Sequence, residues 1–151
     1  MKPLIILIAV FVLFTGISVL TTGHWNETVG GNLAMFSLLC FTALGHFLFT
    51  SGMALMIPPF IPFKTGLVYI TGVVEVLLGI LLLVPSLRSL AGYGLIVFFV
   101  LLTPANIYAA VKRLDIEKGT YTGPGLAYLW FRIPLQLFFI GWVYYFSIFA
   151  G

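Results

Sequence analysis

Residues 66–84 read GLVYITGVVEVLLGILLLV, an apolar run with a single carboxylate, Glu75, at its midpoint. A run of about 20 apolar residues is long enough for a helix to cross the roughly 30 Å hydrocarbon core of a bilayer. A charge at the centre of such a helix costs about 2.5–3.5 kcal/mol on insertion scales, so one is rarely kept without a partner or a function. The stretch therefore predicts a membrane-spanning helix whose carboxylate faces protein.

The composition of the whole chain favours a membrane protein. Of its 151 residues, 62% are hydrophobic and only 7% are charged, whereas soluble domains carry about 25% charged residues. The formal charge of +3 is spread too thinly to follow a phosphate backbone, so nucleic acid is not an expected partner. Cys40 is the only cysteine, which excludes an internal disulfide and a dithiol motif. The sequence has no recognisable spacing of metal ligands, and no motif identifies a cofactor.

The apolar runs predict an all-α, polytopic transmembrane bundle that forms one domain over residues 1–151. The first run lacks a clear signal-peptide cleavage site, so we expect a retained span beside a four-helix core. The connecting segments are rich in Gly, Pro, Asn or charge, and none is long enough for a soluble domain. The five predicted spans are residues 3–20, 33–57, 66–84, 90–111 and 125–149.

The charges of the loops predict the orientation of the bundle. With the N-terminus in the cytoplasm, five basic loop residues lie inside and only Arg88 lies outside. Cytoplasmic loops of membrane proteins carry the excess of Lys and Arg. The sequence therefore predicts an N-in, C-out arrangement.

Five polar side chains from four predicted spans fall at similar depths, counted from the cytoplasmic helix ends at about 1.5 Å per residue. They lie between the inner third and the middle of the membrane. Such side chains inside spans commonly mark ligand or proton sites. We therefore treat them as candidate ligand-binding residues: His46, Glu75, Asn106, Arg132 and Gln136.

Helical periodicity predicts that these residues face other helices. Gly72 and Gly79 lie on the same stripe as Glu75, and small residues let a second helix approach closely. We expect Glu75 to contact Arg132 and His46 around a cavity in the cytoplasmic half of the bundle. Two other interpretations stay open. The polar groups can simply hold the helices together, and the long side chain of Arg132 can reach the headgroups instead of the interior.

Pro104 and Pro134 lie inside predicted spans, each two residues from a polar candidate. A proline in a helix lacks an amide hydrogen and so frees a carbonyl of the preceding turn. The freed carbonyls either add acceptors to the predicted cavity or are satisfied by side chains such as Thr103 and Asn106.

A series of motifs between about Phe41 and Tyr145 resembles the DoxX-like family of small bacterial membrane proteins. In chain order these are GHF (45–47), MIPPFIPF (56–63), TGVVEVLLGI (71–80), PSLR (85–88), PANIYAA (104–110) and LWFRIPLQLFFIGWVYYF (129–146). The resemblance implies a helical bundle in the bacterial inner membrane. Some relatives are linked to quinone-coupled sulfur oxidation or membrane oxidoreductase complexes, and others are similar to assembly chaperones. The family pattern carries over to His46, Glu75, Asn106 and Arg132.

Two classes of function fit these observations, and neither establishes an enzyme. In the first, the polar cluster binds the head of a lipophilic molecule, such as a quinone or a lipid, as an accessory to a membrane oxidoreductase partner. In the second, the chain is a structural or assembly protein, and the cluster only holds the bundle together. A small transporter is a third option, but five spans without an inverted repeat do not suit alternating access unless the chain forms a homo-oligomer.

Overall fold

A computed structural model describes residues 2–151 of the chain, and these residues are almost entirely helical. The only strand-like pairing in this range is an isolated antiparallel bridge between Asp115 and Thr120. The helices are α1 (Lys2–Thr22), α2 (Glu27–Leu48), α3 (Thr50–Ala54), α4 (Lys64–Leu83), α5 (Arg88–Val111) and α6 (Leu129–Val143). A 3₁₀ turn (Gly125–Tyr128) precedes α6, and a π-helix (Tyr144–Phe149) continues it.

Five of these helices are long and apolar enough to cross a membrane: α1, α2, α4, α5 and the continuous stretch Gly125–Phe149. The prediction of an all-helical chain with five long apolar helices is therefore confirmed. The bounds agree within about two residues for four of them. The last one begins and ends where predicted, but its central Pro134 and its π-helical end make it the least regular of the five.

The prediction was wrong about the bounds of the second helix, which we expected at residues 33–57. It begins at Glu27, because Gly30 and Gly31 are packing positions within the helix rather than loop residues. A Cβ on Gly30 would lie 2.9 Å from the Thr15 side chain of α1, and one on Gly31 would lie 2.3 Å from the ring of Phe146. The helix is also interrupted at Phe49, where α2 ends and the short α3 begins.

The bundle is organised around α2, which packs against α1 on one side and most extensively against α4 on the other. The helix α5 contacts both α4 and the α6 region and so completes the core. Residues of α1, α2, α4, α5 and α6 contribute to one apolar core, which includes Leu7, Met35, Leu39, Leu82, Leu95, Phe99 and Phe139. The N-terminal helix is therefore part of the core through Leu7, and not only an added span.

One end of the bundle is covered by α3 and the 112–124 loop, and we call it the capped end. Gly52 of α3 lies directly against this loop: a Cβ on Gly52 would stand 1.9 Å from the backbone oxygen of Ile116. The loop is closed by the Asp115–Thr120 bridge and by Leu114, whose side chain is buried. Of the candidate residues, His46, Asn106 and Arg132 lie toward this end of their helices, and Glu75 and Gln136 lie near the middle of theirs.

Candidate functional site

Glu75 lies in the middle of α4 and is only 4% exposed. Its carboxylate faces α2, where the Thr42 hydroxyl donates to Oε1 at 2.5 Å. The Nε2 atom of His46 lies 3.3 Å from Oε2, close enough for an ion pair. The predicted contact between Glu75 and His46 is therefore present, and we call Thr42, His46 and Glu75 the Glu75 cluster.

The His46 ring is held by α4 as well as by its own helix. Its Nδ1 atom lies 2.9 Å from the carbonyl oxygen of Val68 and 3.1 Å from the hydroxyl of Thr71. A Cβ on Gly72 would lie 2.8 Å from the Cβ of His46, so α2 and α4 could not approach this closely with a larger residue there. The Gly72 and Gly79 stripe does face protein as predicted, and both residues are buried against α2.

One oxygen of Glu75 is left without a hydrogen bond. Oε2 is buried and accepts no hydrogen bond from the described residues, and His46 Nε2 lies 3.3 Å from it, at ion-pair distance. Buried polar atoms are hydrogen-bonded in the great majority of cases, so an exception calls for a function, a bound molecule or water. This atom is the strongest indication of a functional site in the bundle.

A second polar group joins α5 to α6. The Gln136 amide nitrogen donates to the backbone carbonyl of Phe99 and, at 3.0 Å, to the Thr103 hydroxyl. The Asn106 amide donates to the Gln136 oxygen at 3.4 Å. We call Thr103, Asn106 and Gln136 the Gln136 group.

The backbone carbonyl of Phe99 lies five residues before Pro104 in α5, and it accepts hydrogen bonds from two side chains. Besides Gln136, the Thr103 hydroxyl donates to it at 3.2 Å. Pro104 frees the carbonyl of Val100, four residues before it, so the two outcomes that stayed open for the freed carbonyls stay predictions.

The predicted ion pair between Glu75 and Arg132 was wrong. Within residues 2–151 the one side-chain ion pair of Glu75 within 4 Å is with His46. The reason is that the glycine stripe turns the Glu75 face of α4 toward α2, whereas Arg132 lies on α6, which packs mainly against α5. The Nε atom of Arg132 is buried and has no hydrogen-bond partner among the described residues.

The five predicted residues therefore do not form a single cluster around a cavity. His46 lies with Glu75, Asn106 lies with Gln136, and Arg132 is separate from both pairs.

A cavity of about 20 Å³ lies at the capped end, and its lining includes Asn106 and Tyr128. This volume suits one water molecule. An apolar groove of about 360 Å³ runs between α1 and α6 along Leu4, Trp130 and Phe138. Neither is lined by Glu75 or His46.

A third polar group, which we did not predict, lies at the end of the bundle opposite the capped end. Asn32 and Ser147 are each only 1% exposed. The Ser147 hydroxyl donates to Asn32 Oδ1 at 2.6 Å, and the Asn32 amide donates to the carbonyls of Thr28 and Phe146. Asn32 was missed because its segment, with two glycines before it, was assigned to a loop. A helical interpretation of residues 27–33 would have put it on a buried face.

The described residues contain no group of three or more His, Cys, Asp or Glu side chains that could hold a metal ion.

No curated protein and no solved structure matches the chain. Residues 35–147 match a family model whose description is "Domain of unknown function (DUF8561)". This match includes all five predicted site residues, α2 from residue 35 onward, and the whole of α4, α5 and α6. Since it covers most of the sequence, the chain belongs to the DUF8561 family.

Proposed function

We propose that this protein is a DoxX-like integral membrane protein that binds a lipophilic, quinone-like small molecule at its intramembrane polar residues. In this proposal it serves as an accessory to a membrane oxidoreductase in the inner membrane of a bacterium. The observation that carries the proposal is the buried Oε2 atom of Glu75, which lies 3.3 Å from His46 Nε2 and has no hydrogen-bond partner among the described residues.

The two buried side-chain atoms without partners are chemically complementary to such a molecule. Glu75 Oε2 is an acceptor and Arg132 Nε is a donor, so the first suits a hydroxyl group and the second suits a carbonyl oxygen. A hydroquinone offers both functions on an apolar ring, because each of its hydroxyl groups can donate or accept, and the oxidised quinone offers carbonyl oxygens. Pockets for such molecules combine apolar walls with a few polar groups that fix the orientation, and the neighbouring core is built of Leu and Phe side chains.

The proposal is tested by measuring which small molecules stay bound through purification into lipid nanodiscs. We expect mass spectrometry of an organic extract to find a quinone-like lipophile with the wild-type protein. A hydrogen bond to a charged group contributes about 1.5–3 kcal/mol, so we expect Glu75→Gln and Arg132→Gln each to lower its occupancy about tenfold or more.

Thr21→Val is the matched control, because the Thr21 hydroxyl bonds only to carbonyls of its own helix at the far end of the bundle. We expect this variant to keep the wild-type occupancy. Equal amounts of lipophile in all four proteins would contradict the proposal, because the molecule would then be bulk lipid.

A structural or assembly function is the second candidate, and the Gln136 group supports it. The amide of Gln136 bonds to α5 through both Phe99 and Thr103, which is how polar side chains hold helices together in membranes. On this alternative, Gln136→Leu lowers the melting temperature, while no lipophile copurifies with the wild-type protein.

The proposed orientation is N-in and C-out, with Lys2, Lys64, Lys112, Arg113 and Lys118 on the cytoplasmic side and Arg88 outside. We expect alkaline phosphatase, which is active only in the periplasm, to be active when fused after Gly151. A fusion after Lys118 should be inactive. Activity in the second fusion and not in the first would reverse the orientation.

A further inference from the structure

The surroundings of the His46 ring fix which of its nitrogens carries a proton. Nδ1 lies 2.9 Å from the Val68 carbonyl oxygen, which can only accept. The Thr71 hydroxyl, 3.1 Å from the same nitrogen, is also 2.9 Å from the carbonyls of Leu67 and Val68. Its hydrogen therefore points to a carbonyl and its lone pair faces the ring. Both neighbours accept, so Nδ1 carries a hydrogen.

A neutral histidine with its hydrogen on Nδ1 has a lone pair on Nε2. Nε2, which carries that lone pair, lies 3.3 Å from Glu75 Oε2. If Glu75 were ionised and His46 neutral, two lone pairs would oppose each other in a buried site and the pair would have a charge of −1. A second proton between Nε2 and Oε2 removes both the repulsion and the net charge.

We infer that His46 and Glu75 hold two protons in all, one fixed on Nδ1 and one shared between Nε2 and Oε2. The pair is then neutral in either of its forms: a carboxylic acid beside a neutral imidazole, or a carboxylate beside an imidazolium. Transfer of the shared proton from Oε2 to Nε2 interconverts the two forms and needs no other reactant. The Thr42 hydroxyl can bond to Oε1 in both forms of the pair, because a hydroxyl can donate or accept.

The neutral pair determines the class of ligand, and this step rests on the proposed function. Among the described residues the one basic group within 4 Å of Glu75 is His46, which already belongs to the pair, so an anionic headgroup at Oε2 would add a charge without a cation in contact with Glu75. A neutral lipophile with a hydroxyl group can instead donate to a free lone pair of Oε2. Since a carboxylate is the better acceptor, binding favours the form in which the shared proton is on His46.

The proton positions can be measured by ¹⁵N NMR of histidine-labelled protein in nanodiscs. The chain has only two histidines, and His24→Gln leaves His46 as the single signal. At neutral pH, without added ligand, we expect Nδ1 to be protonated, with His46 as the Nδ1–H tautomer, the imidazolium or their average. In Glu75→Gln, whose amide can donate to Nε2, we expect the neutral Nδ1–H tautomer alone. A neutral Nε2–H tautomer in the wild-type protein would overturn the inference, because Nδ1 would then carry no proton.

Two probes with the same tail test the ligand class: decylhydroquinone, which is neutral and has hydroxyl groups, and decanoate, which is an anion. We expect decylhydroquinone to shift the His46 signals toward the imidazolium and decanoate to leave them unchanged. A response to decanoate alone, or to neither probe, would overturn the ligand class. The tautomer, measured without ligand, tests the proton positions, and lipophile retention, measured by mass spectrometry, tests the proposed function. A failure of one is therefore distinguishable from a failure of the other.

Discussion

His46→Ala should be among the most destabilising single substitutions in this protein. Breaking a buried ion pair by removing one partner typically costs about 3–5 kcal/mol, because the other charge stays buried without compensation. In this bundle the remaining group is Glu75, whose Oε2 has no hydrogen-bond donor. Protonation of Glu75 relieves part of this cost. Thermal unfolding in detergent, followed by circular dichroism, measures the loss.

Three comparisons isolate the cause of this loss. Glu75→Gln keeps the shape of the side chain and leaves no buried charge, so we expect it to be milder than His46→Ala. The double variant, His46→Ala with Glu75→Gln, should be more stable than His46→Ala alone. Arg132→Ala should also cost less than His46→Ala, because no carboxylate of the described residues lies within 4 Å of Arg132. If Arg132→Ala proves the more damaging of the two, the assignment of His46 as the partner of Glu75 is wrong.

Gly52→Ala should destabilise the capped end of the bundle. The new Cβ would stand 1.9 Å from the backbone oxygen of Ile116 and 2.8 Å from its carbonyl carbon. A backbone atom cannot move aside by changing a rotamer, so α3 or the 112–124 loop has to shift. Overpacking costs typically 1–3 kcal/mol, and we expect this substitution to cost about 3 kcal/mol. Faster proteolytic cleavage within residues 112–124, together with a lower melting temperature, is the expected result.

The matched control for this substitution is Gly66→Ala in α4. Nothing lies within 4 Å of a Cβ at Gly66, and alanine favours a helix over glycine by up to about 1 kcal/mol. We expect Gly66→Ala to be neutral or slightly stabilising, with unchanged cleavage of the loop. Equal effects of the two substitutions would mean that Gly52 does not support the loop through close packing.

The sequence was sufficient for the parts of the fold that depend on local patterns. Apolar runs of about 20 residues separated by turn signals gave five long helices, because length and hydropathy alone decide whether a helix can cross a bilayer. The spacing of Gly72, Glu75 and Gly79 also gave the face of α4 that is buried, since residues three and four apart share one side of a helix.

The same patterns were misleading where glycine has two possible functions. In sequence Gly30 and Gly31 signal a loop, but in the structure they let α1 and Phe146 approach α2. Only the tertiary contacts distinguish a glycine that ends a helix from one that lets a second helix pack closely. This error hid Asn32 and its buried bond to Ser147, which joins residues 115 positions apart in the chain.

The partner of Glu75 was decided by the tertiary structure alone. From their similar depth we expected Glu75 to contact both Arg132 and His46. Counting residues along a helix gives height in the bundle but not the rotation of one helix about another. In the bundle the glycine stripe brings α4 against α2, so Glu75 meets His46 and Thr42, and Arg132 is left on α6. The sequence by itself placed Glu75, Asn106 and Gln136 inside the bundle, because helical periodicity marks a buried face, and helix packing decided which polar residues meet.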